Sequence, residues 1–229
     1  MMKKTVTKEY NKDWQKKKLE PERIKSQERV YFAFSNLFNK VIKTPFKGTV
    51  LDVGCGDGAL VELLNSKKNI NAKGIDINQG IDFETDKLPF KENEFDFVVM
   101  YSVLEHLYNP GNILSEIKRV LKKNGFMIAI IPNYDPSRLI SCNRKFYHDP
   151  THVHPYNPVS LQHLMRLYNF EKCFLGLWTI KKSAILWKMP MNFQFFIGAI
   201  TPFAGNKKTC PSFLKGKSKT MLCVFKNEK

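Results

Sequence analysis

Three glycines on alternate positions, Gly54, Gly56 and Gly58, follow an apolar run from Thr49 to Val53. Backbone without a Cβ turns through positive φ and lets a ligand lie against the main chain. Asp76 stands 18 residues after Gly58. That spacing suits a carboxylate that holds the ribose hydroxyls of a nucleoside lying over the glycines. Charge-assisted bonds to a diol are the reason a carboxylate is needed there. The glycine pattern is Gly-x-Gly-x-Gly rather than the Gly-x-Gly-x-x-Gly of dinucleotide sites, which argues against a dehydrogenase. A second cluster is His148, His152 and His154, three of five histidines within seven residues. Imidazoles so grouped serve as a base or substrate contact, as metal ligands, or as parts of a structural loop. No cysteine is near and Asp149 is the only added carboxylate, so no metal is assigned.

These residues need elements to position them. Thr49 to Val53 reads as a strand and Ala59 to Leu64 as a helix, the opening of a βαβ unit. Asn69 to Ile77 reads as a second strand that ends at Asp76. Ile81 to Thr85 reads as a short third strand. Only Asn78-Gln79-Gly80 separate the two, while a parallel crossover needs about a dozen residues, so the intervening helix is reduced or missing. Phe95 to Tyr101 is nearly all apolar, as in a strand buried on both faces. An amphipathic helix over 112–123, capped by Gly125, precedes a strand from Phe126 to Asn133. Pro158 to Tyr168 reads as a helix, and Phe170 to Trp178 and Thr220 to Phe225 as strands. Pro21 opens an earlier helix whose stripe includes Val30, Phe34, Leu37 and Phe38. Strands alternating with helices indicate an α/β doubly wound sheet.

The chain has 229 residues and is 43% hydrophobic, enough for one well-packed domain. The expected division is a basic arm over 1–20 and a single domain over 21–229, with 179–218 as an inserted cap or lid. No apolar run reaches the roughly 18 residues of a membrane span, and the N-terminal lysines lack the apolar stretch of a signal peptide. Five scattered cysteines without a Cys-x-x-Cys pair read as reduced thiols of a cytoplasmic protein. The net charge of +16 is uneven: +8 over 1–47, −4 over 48–137 and +12 over 138–229. Basic flanks around a mildly acidic centre concentrate anionic partners at the surface, or simply keep the protein soluble.

Leu51-Asp52-Val53-Gly54-Cys55-Gly56-Asp57-Gly58 resembles the first motif of class I S-adenosylmethionine-dependent methyltransferases, and Gly74-Ile75-Asp76-Ile77 their second. Leu88-Pro89-Phe90 with Phe95-Asp96, Val103-Leu104-Glu105-His106-Leu107, and Arg119-Val120-Leu121-Lys122 with Gly125 match the same family in order. The resemblance is close over 48–133 and looser over 146–177, where it is similar to a subgroup acting on small molecules, glycans and lipid-linked substrates among them. It implies a Rossmann-like sheet of seven strands, mostly parallel with an antiparallel last strand. It implies S-adenosyl-L-methionine as cofactor, held by Asp52, Gly54, Cys55, Gly56, Asp76, Ile77, Glu84, Tyr101 and Ser102. Gly54 and Gly56 would pass the methionine portion, Asp76 the ribose, and Ile77 the adenine ring. Glu84 would meet the adenine amine, with Asp82 competing for that role. Tyr101, Ser102 and Val103 would edge the methyl group. His152, in the matching stretch, is the first candidate for a base that takes a proton from an acceptor hydroxyl, and His148 the second. Glu105 and His106 serve equally as a packing pair or in catalysis.

The segment 179–218 interleaves aromatic and basic residues, and 185–208 suits a lid or a peripheral contact with a membrane surface. The acceptor this favours is a small molecule bearing a hydroxyl, anionic or lipid-linked. Nucleic acid ranks lower, because no RNA-binding module is recognisable. The alternatives are an RNA methyltransferase and a non-catalytic partner subunit with the same fold.

Overall fold

The computed structural model describes residues 21–134, 146–147, 149–178 and 220–229. The expected arm over 1–20, His148 and the lid segment over 179–218 lie outside the described residues.

Helix α1, Pro21–Leu37, continues as a wider turn over Phe38–Ile42. Strand β1, Gly48–Val53, leads through the glycines into α2, Ala59–Asn65, and β2, Ile70–Ile75. Strand β3, Phe95–Tyr101, is followed by a single tight turn over Leu104–His106 and by α3, Gly111–Val120. Strand β4, Leu121–Pro132, helix α4, Pro158–Leu167, and strands β5, Phe170–Trp178, and β6, Thr220–Asn227, complete the order.

The described strands form one sheet in the order β2-β1-β3-β4-β6-β5. Strands β1, β2, β3 and β4 run parallel, and β6 is antiparallel to both β4 and β5. That is the expected Rossmann-like arrangement with its antiparallel last strand. The sheet has six strands among the described residues, not the expected seven. The difference is Ile81 to Thr85, which turns instead of extending. Asp86 Oδ2 accepts the Asp82 N–H at 2.7 Å, Asp82 Oδ1 accepts the Glu84 N–H at 3.0 Å, and the Asp82 carbonyl accepts the Thr85 and Asp86 N–H groups. Aspartate side chains that satisfy nearby backbone N–H groups favour such turns over a ladder. The shortened connection is one turn over Ile77–Gln79, closed by Gly80 at φ 88°.

Alternation places two separate cores on the sheet's faces. Leu51, Val53, Val98 and Met100 pack with α3 and α4 residues Ile113, Leu114, Ile117, Leu161 and Met165. Val50, Phe97 and Val99 pack with Phe34, Leu37 and Phe38 of the first helix and Leu60 and Leu64 of α2. Phe38 meets Phe97 and Phe126 edge-on at 5.1 and 5.2 Å between centroids. Helix α3 ends at Val120, earlier than expected, and Leu121 already pairs with Phe95. Gly125 therefore lies in a strand, where an added Cβ would stand 3.0 Å from the Lys122 carbonyl oxygen. The end of α3 is closed from elsewhere: buried Asn227 donates from Nδ2 to the carbonyls of Lys118, Leu121 and Lys122.

Two of the matched motifs have a structural role. Arg119 donates to the Phe90 and Leu88 carbonyls at 2.8 and 3.0 Å, and its partner Glu116 accepts the Leu88 N–H at 2.7 Å. Asp96 accepts from the Thr49 N–H and hydroxyl and pairs with Lys122, fixing β1 to β3. Among the described residues no helix is long and apolar enough to cross a membrane.

Candidate functional site

The carboxyl ends of β1, β2 and β3 converge where parallel sheets bind ligands. Leaving β1, the chain turns at Gly54 with φ +79°. An added Cβ there would overlap Val103 Cγ2 at 2.2 Å, so only glycine fits. The Gly54 and Cys55 N–H groups donate to the Ile75 carbonyl at 2.8 and 3.2 Å, stitching the loop to the end of β2. Gly56 also has positive φ, +59°, but a Cβ on it would meet nothing within 4 Å. The loop thus packs tightly at Gly54 and opens at Gly56.

Asp76 anchors the other wall. It is 7% exposed; Oδ2 accepts the Gly56 N–H at 3.0 Å, and Oδ1 accepts from Asn78 N–H and Nδ2 at 3.1 and 2.6 Å. The carboxylate therefore ties the open part of the glycine loop to the turn after β2. Ile77 follows, half-buried. Cys55 packs over Gly74, where a Cβ would lie 2.7 Å from its Sγ. Burial, then the nearby Asp52 and Asp76 carboxyls, push the Cys55 thiol up to about 12, so it stays neutral. Cys55, Cys173 and Cys223 are free thiols.

Asp52 is 2% exposed. Burial first and the Asp76 charge second raise its carboxyl from 3.8 to about 7. Between those values the folded chain holds a proton that the unfolded chain has released, so stability falls as pH rises through that window. The loss amounts to roughly 4 kcal/mol at most. Asp52→Asn is expected to flatten the difference between the ligand-free melting temperatures at pH 5 and pH 8. Equal slopes for the two proteins in a thermal melt series would refute this.

At the end of β3, Tyr101 is mostly buried, and Ser102 is exposed with φ +54°. A left-handed backbone in a residue other than glycine is sparsely populated and concentrates at functional sites. The Ser102 N–H donates to the Ile130 carbonyl at 2.8 Å, which holds the turn. Glu84 binds backbone in the structure. Its Oε1 and Oε2 accept the N–H groups of Tyr108 and Asn109 at 3.2 and 3.3 Å, tying it to the turn before α3.

The tight turn after β3 carries Glu105 and His106 against the 149–154 loop. The Glu105 carbonyl accepts the Val153 and His154 N–H groups at 2.8 and 3.1 Å. The His106 and His152 rings lie 4.7 Å apart, and Phe146 covers His152 at 4.5 Å. His152 Nδ1 contacts the Phe146 carbonyl at 2.8 Å; a carbonyl only accepts, so Nδ1 carries a proton and in the neutral ring Nε2 is the lone pair. His106 has the same tautomer. The one hydroxyl proton of Thr151 goes to Asp149 Oδ1, so His106 Nδ1, 2.8 Å from Thr151 Oγ1, must donate. Burial, then the neighbouring His152, hold His106 below the ordinary imidazole range. Glu105 is 1% exposed, and burial raises its carboxyl to about 8. Its own N–H and the Ser102 hydroxyl lie near enough to oppose that rise, yet neither meets hydrogen-bond geometry.

Among the expected residues, Asp52, Gly54, Cys55, Gly56 and Asp76 come together around the glycine loop, while Tyr101 and Ser102 close the end of β3. His152 joins His106 and Glu105 rather than His154, whose Nε2 lies 3.1 Å from the Tyr108 carbonyl. The contact by which Thr151 and Asp149 set the His106 tautomer spans 45 positions and is not given by spacing along the chain. The signal available was the Glu105-His106 pair a few residues past the end of a buried strand.

A family model described as "Methyltransferase domain" matches residues 25–173, well over half of the chain. An uncharacterised protein of Methanocaldococcus jannaschii is 35% identical over 117 residues, 45% of this chain and 50% of that protein. A ubiquinone biosynthesis O-methyltransferase of Caulobacter vibrioides is 31% identical over 110 residues, 40% of this chain and 44% of its own. The chain thus spans about half the length of the curated relatives it matches. In fold it is similar to the methyltransferase of a Haloferax volcanii complex with the Trm112 methyltransferase activator. The TM-score is 0.61 at 16% identity, over 96% of this chain and 98% of that one. An S-adenosylmethionine-dependent methyltransferase from Archaeoglobus fulgidus has a TM-score of 0.55 at 19% identity, over 86% and 93%.

Proposed function

The chain belongs to the class I S-adenosylmethionine-dependent methyltransferases, and from that membership we propose that it methylates a hydroxyl of a small molecule, glycan or lipid-linked. The glycine loop fits the methyl donor. Space is open above Gly56, and the buried acids Asp52 and Asp76 line the loop, a setting that favours a cationic ligand bearing ribose hydroxyls. Asp76 would accept from the ribose, Gly54 and Gly56 would pass close to the methionine portion, and Ile77 would cover the adenine. When bound, S-adenosylmethionine supplies a methyl carbon activated by its sulfonium, which an acceptor oxygen attacks in line.

The observation that carries the hydroxyl reading is the pair of oriented imidazoles beside the end of β3. His152 presents Nε2 as a lone pair because Nδ1–H is fixed on the Phe146 carbonyl. An oriented base matters for an acceptor that arrives protonated. The O-methyltransferase relatives support the same choice at about a third identity. The basic flanks suit an acceptor carrying phosphate, or one held at a membrane surface by 185–208 in a cytoplasmic protein.

Incubation with labelled S-adenosylmethionine and separated lipid, glycan and RNA fractions of the source cell tests this reading. Label is expected in the lipid or glycan fraction. Label confined to RNA would overturn it in favour of an RNA methyltransferase, a reading that the net charge of +16 also allows. Label in none of the fractions would favour a non-catalytic subunit.

A further inference from the structure

Glu105, His106 and His152 each offer a ligand atom, and these atoms all lie within 4.8 Å of one another. Donors bound to one ion about 2 Å away sit roughly 3–4 Å apart, so modest side-chain rotation closes the cluster. We propose that these three side chains form a divalent cation site on the acceptor side of the methyl-donor pocket.

Three independent features carry it. Neither Glu105 carboxylate oxygen has a hydrogen-bond partner among the described residues, although the residue is 1% exposed. A buried carboxylate left without partners is costly, and a cation removes the cost. Next, both imidazoles already have the tautomer that a metal needs. His152 Nδ1–H is held by the Phe146 carbonyl and His106 Nδ1–H by Thr151, which leaves both Nε2 atoms as lone pairs. Ligating histidines are oriented in this way by a carbonyl or carboxylate on the other ring nitrogen. Lastly, Asp149 Oδ2 lies 3.8 Å from His152 Nε2, a further oxygen at the rim, while its Oδ1 accepts from Thr151. Two imidazoles and a carboxylate suit a borderline transition metal better than calcium, and positions remain for an outside ligand.

The sequence argued against a metal because Asp149 was the only carboxylate counted near the histidines. The fold supplies another from 47 residues earlier, since the Glu105 carbonyl pins the loop that carries His152. A bound cation would take the lone pair of His152. It would then take the place of the imidazole base by holding the acceptor oxygen and lowering its pKa, with the proton passing to water, a role that rests on the hydroxyl reading above; cation binding itself does not.

The test is a Co²⁺ titration of the tag-free, full-length protein after chelation and dialysis, read by visible absorption and calorimetry without acceptor. Saturable binding of one ion is expected, with X-ray absorption showing two imidazole nitrogens around it. Glu105→Gln and His152→Asn should each weaken binding about tenfold or more, while both keep the thermal shift given by S-adenosylhomocysteine. That retained shift reports a folded donor pocket, so loss of Co²⁺ binding is assigned to the site. Absence of saturable binding by the wild type would overturn the proposal. So would wild-type affinity in both variants, or an absorption spectrum without imidazole. Because no acceptor is present, these outcomes leave the hydroxyl reading to the labelling experiment.

Discussion

Asp76→Ala is expected to abolish the rise in melting temperature that S-adenosylmethionine or S-adenosylhomocysteine gives the wild type. In the ligand-free protein the carboxylate already holds the Gly56 N–H and the turn at Asn78. Its loss frees the open part of the glycine loop and removes the acceptor for the ribose hydroxyls. Hydrogen bonds to a charged group are each worth about 1.5–3 kcal/mol, so two correspond to at least about 100-fold in affinity. Asp76→Asn separates the two contributions, because an amide oxygen still accepts the Gly56 N–H but binds a diol without the charge. Calorimetric titration decides. A donor affinity in Asp76→Ala within a few fold of wild type would remove Asp76 from the donor site.

The two loop glycines are expected to fail differently when changed to alanine. Gly54→Ala combines a left-handed backbone with overlap of Val103 Cγ2. Strain of about 1–2 kcal/mol and overpacking of about 1–3 kcal/mol together lower the melting temperature by roughly 5–15 °C. Gly56→Ala carries only the backbone strain, since its Cβ meets nothing, and should cost a few degrees. Its methyl would nevertheless occupy the space proposed for the donor and weaken donor binding by about tenfold or more. Thermal melts with and without S-adenosylhomocysteine read both effects. If Gly56→Ala binds the ligand as the wild type does, the ligand does not lie over that glycine.

The parts of the molecule legible in its sequence are those governed by neighbours along the chain. The run Phe95 to Tyr101 announces a strand buried on both faces, and the glycines after Val53 announce a turn with an open side. Asp76 follows from spacing alone. Ile81 to Thr85 misled because its apolar positions fit a strand, while the aspartate side chains of Asp82 and Asp86 satisfy the backbone in a turn. The hold of Glu84 on the Tyr108 and Asn109 N–H groups, a pairing across 24 and 25 positions, is not visible along the chain either. The Glu105–His106–His152 cluster was hidden for the same reason. His148, His152 and His154 are close in sequence, yet the fold joins His152 to a residue 46 positions earlier and turns His154 to Tyr108. The Arg119 clamp on Leu88 and Phe90 shows the converse: motifs recognisable by resemblance whose work here is to hold a turn.

Strand β6 lies between β4 and β5, both made before it, and its Asn227 closes the end of α3. During synthesis, then, β4 and β5 leave the ribosome as two open edges that cannot be joined to one another through β6. Each must wait until residues beyond 220 are made. Exposed strand edges of that kind invite pairing between chains. The nascent chain therefore passes through an interval of aggregation risk that ends only when its last described strand slides into the gap.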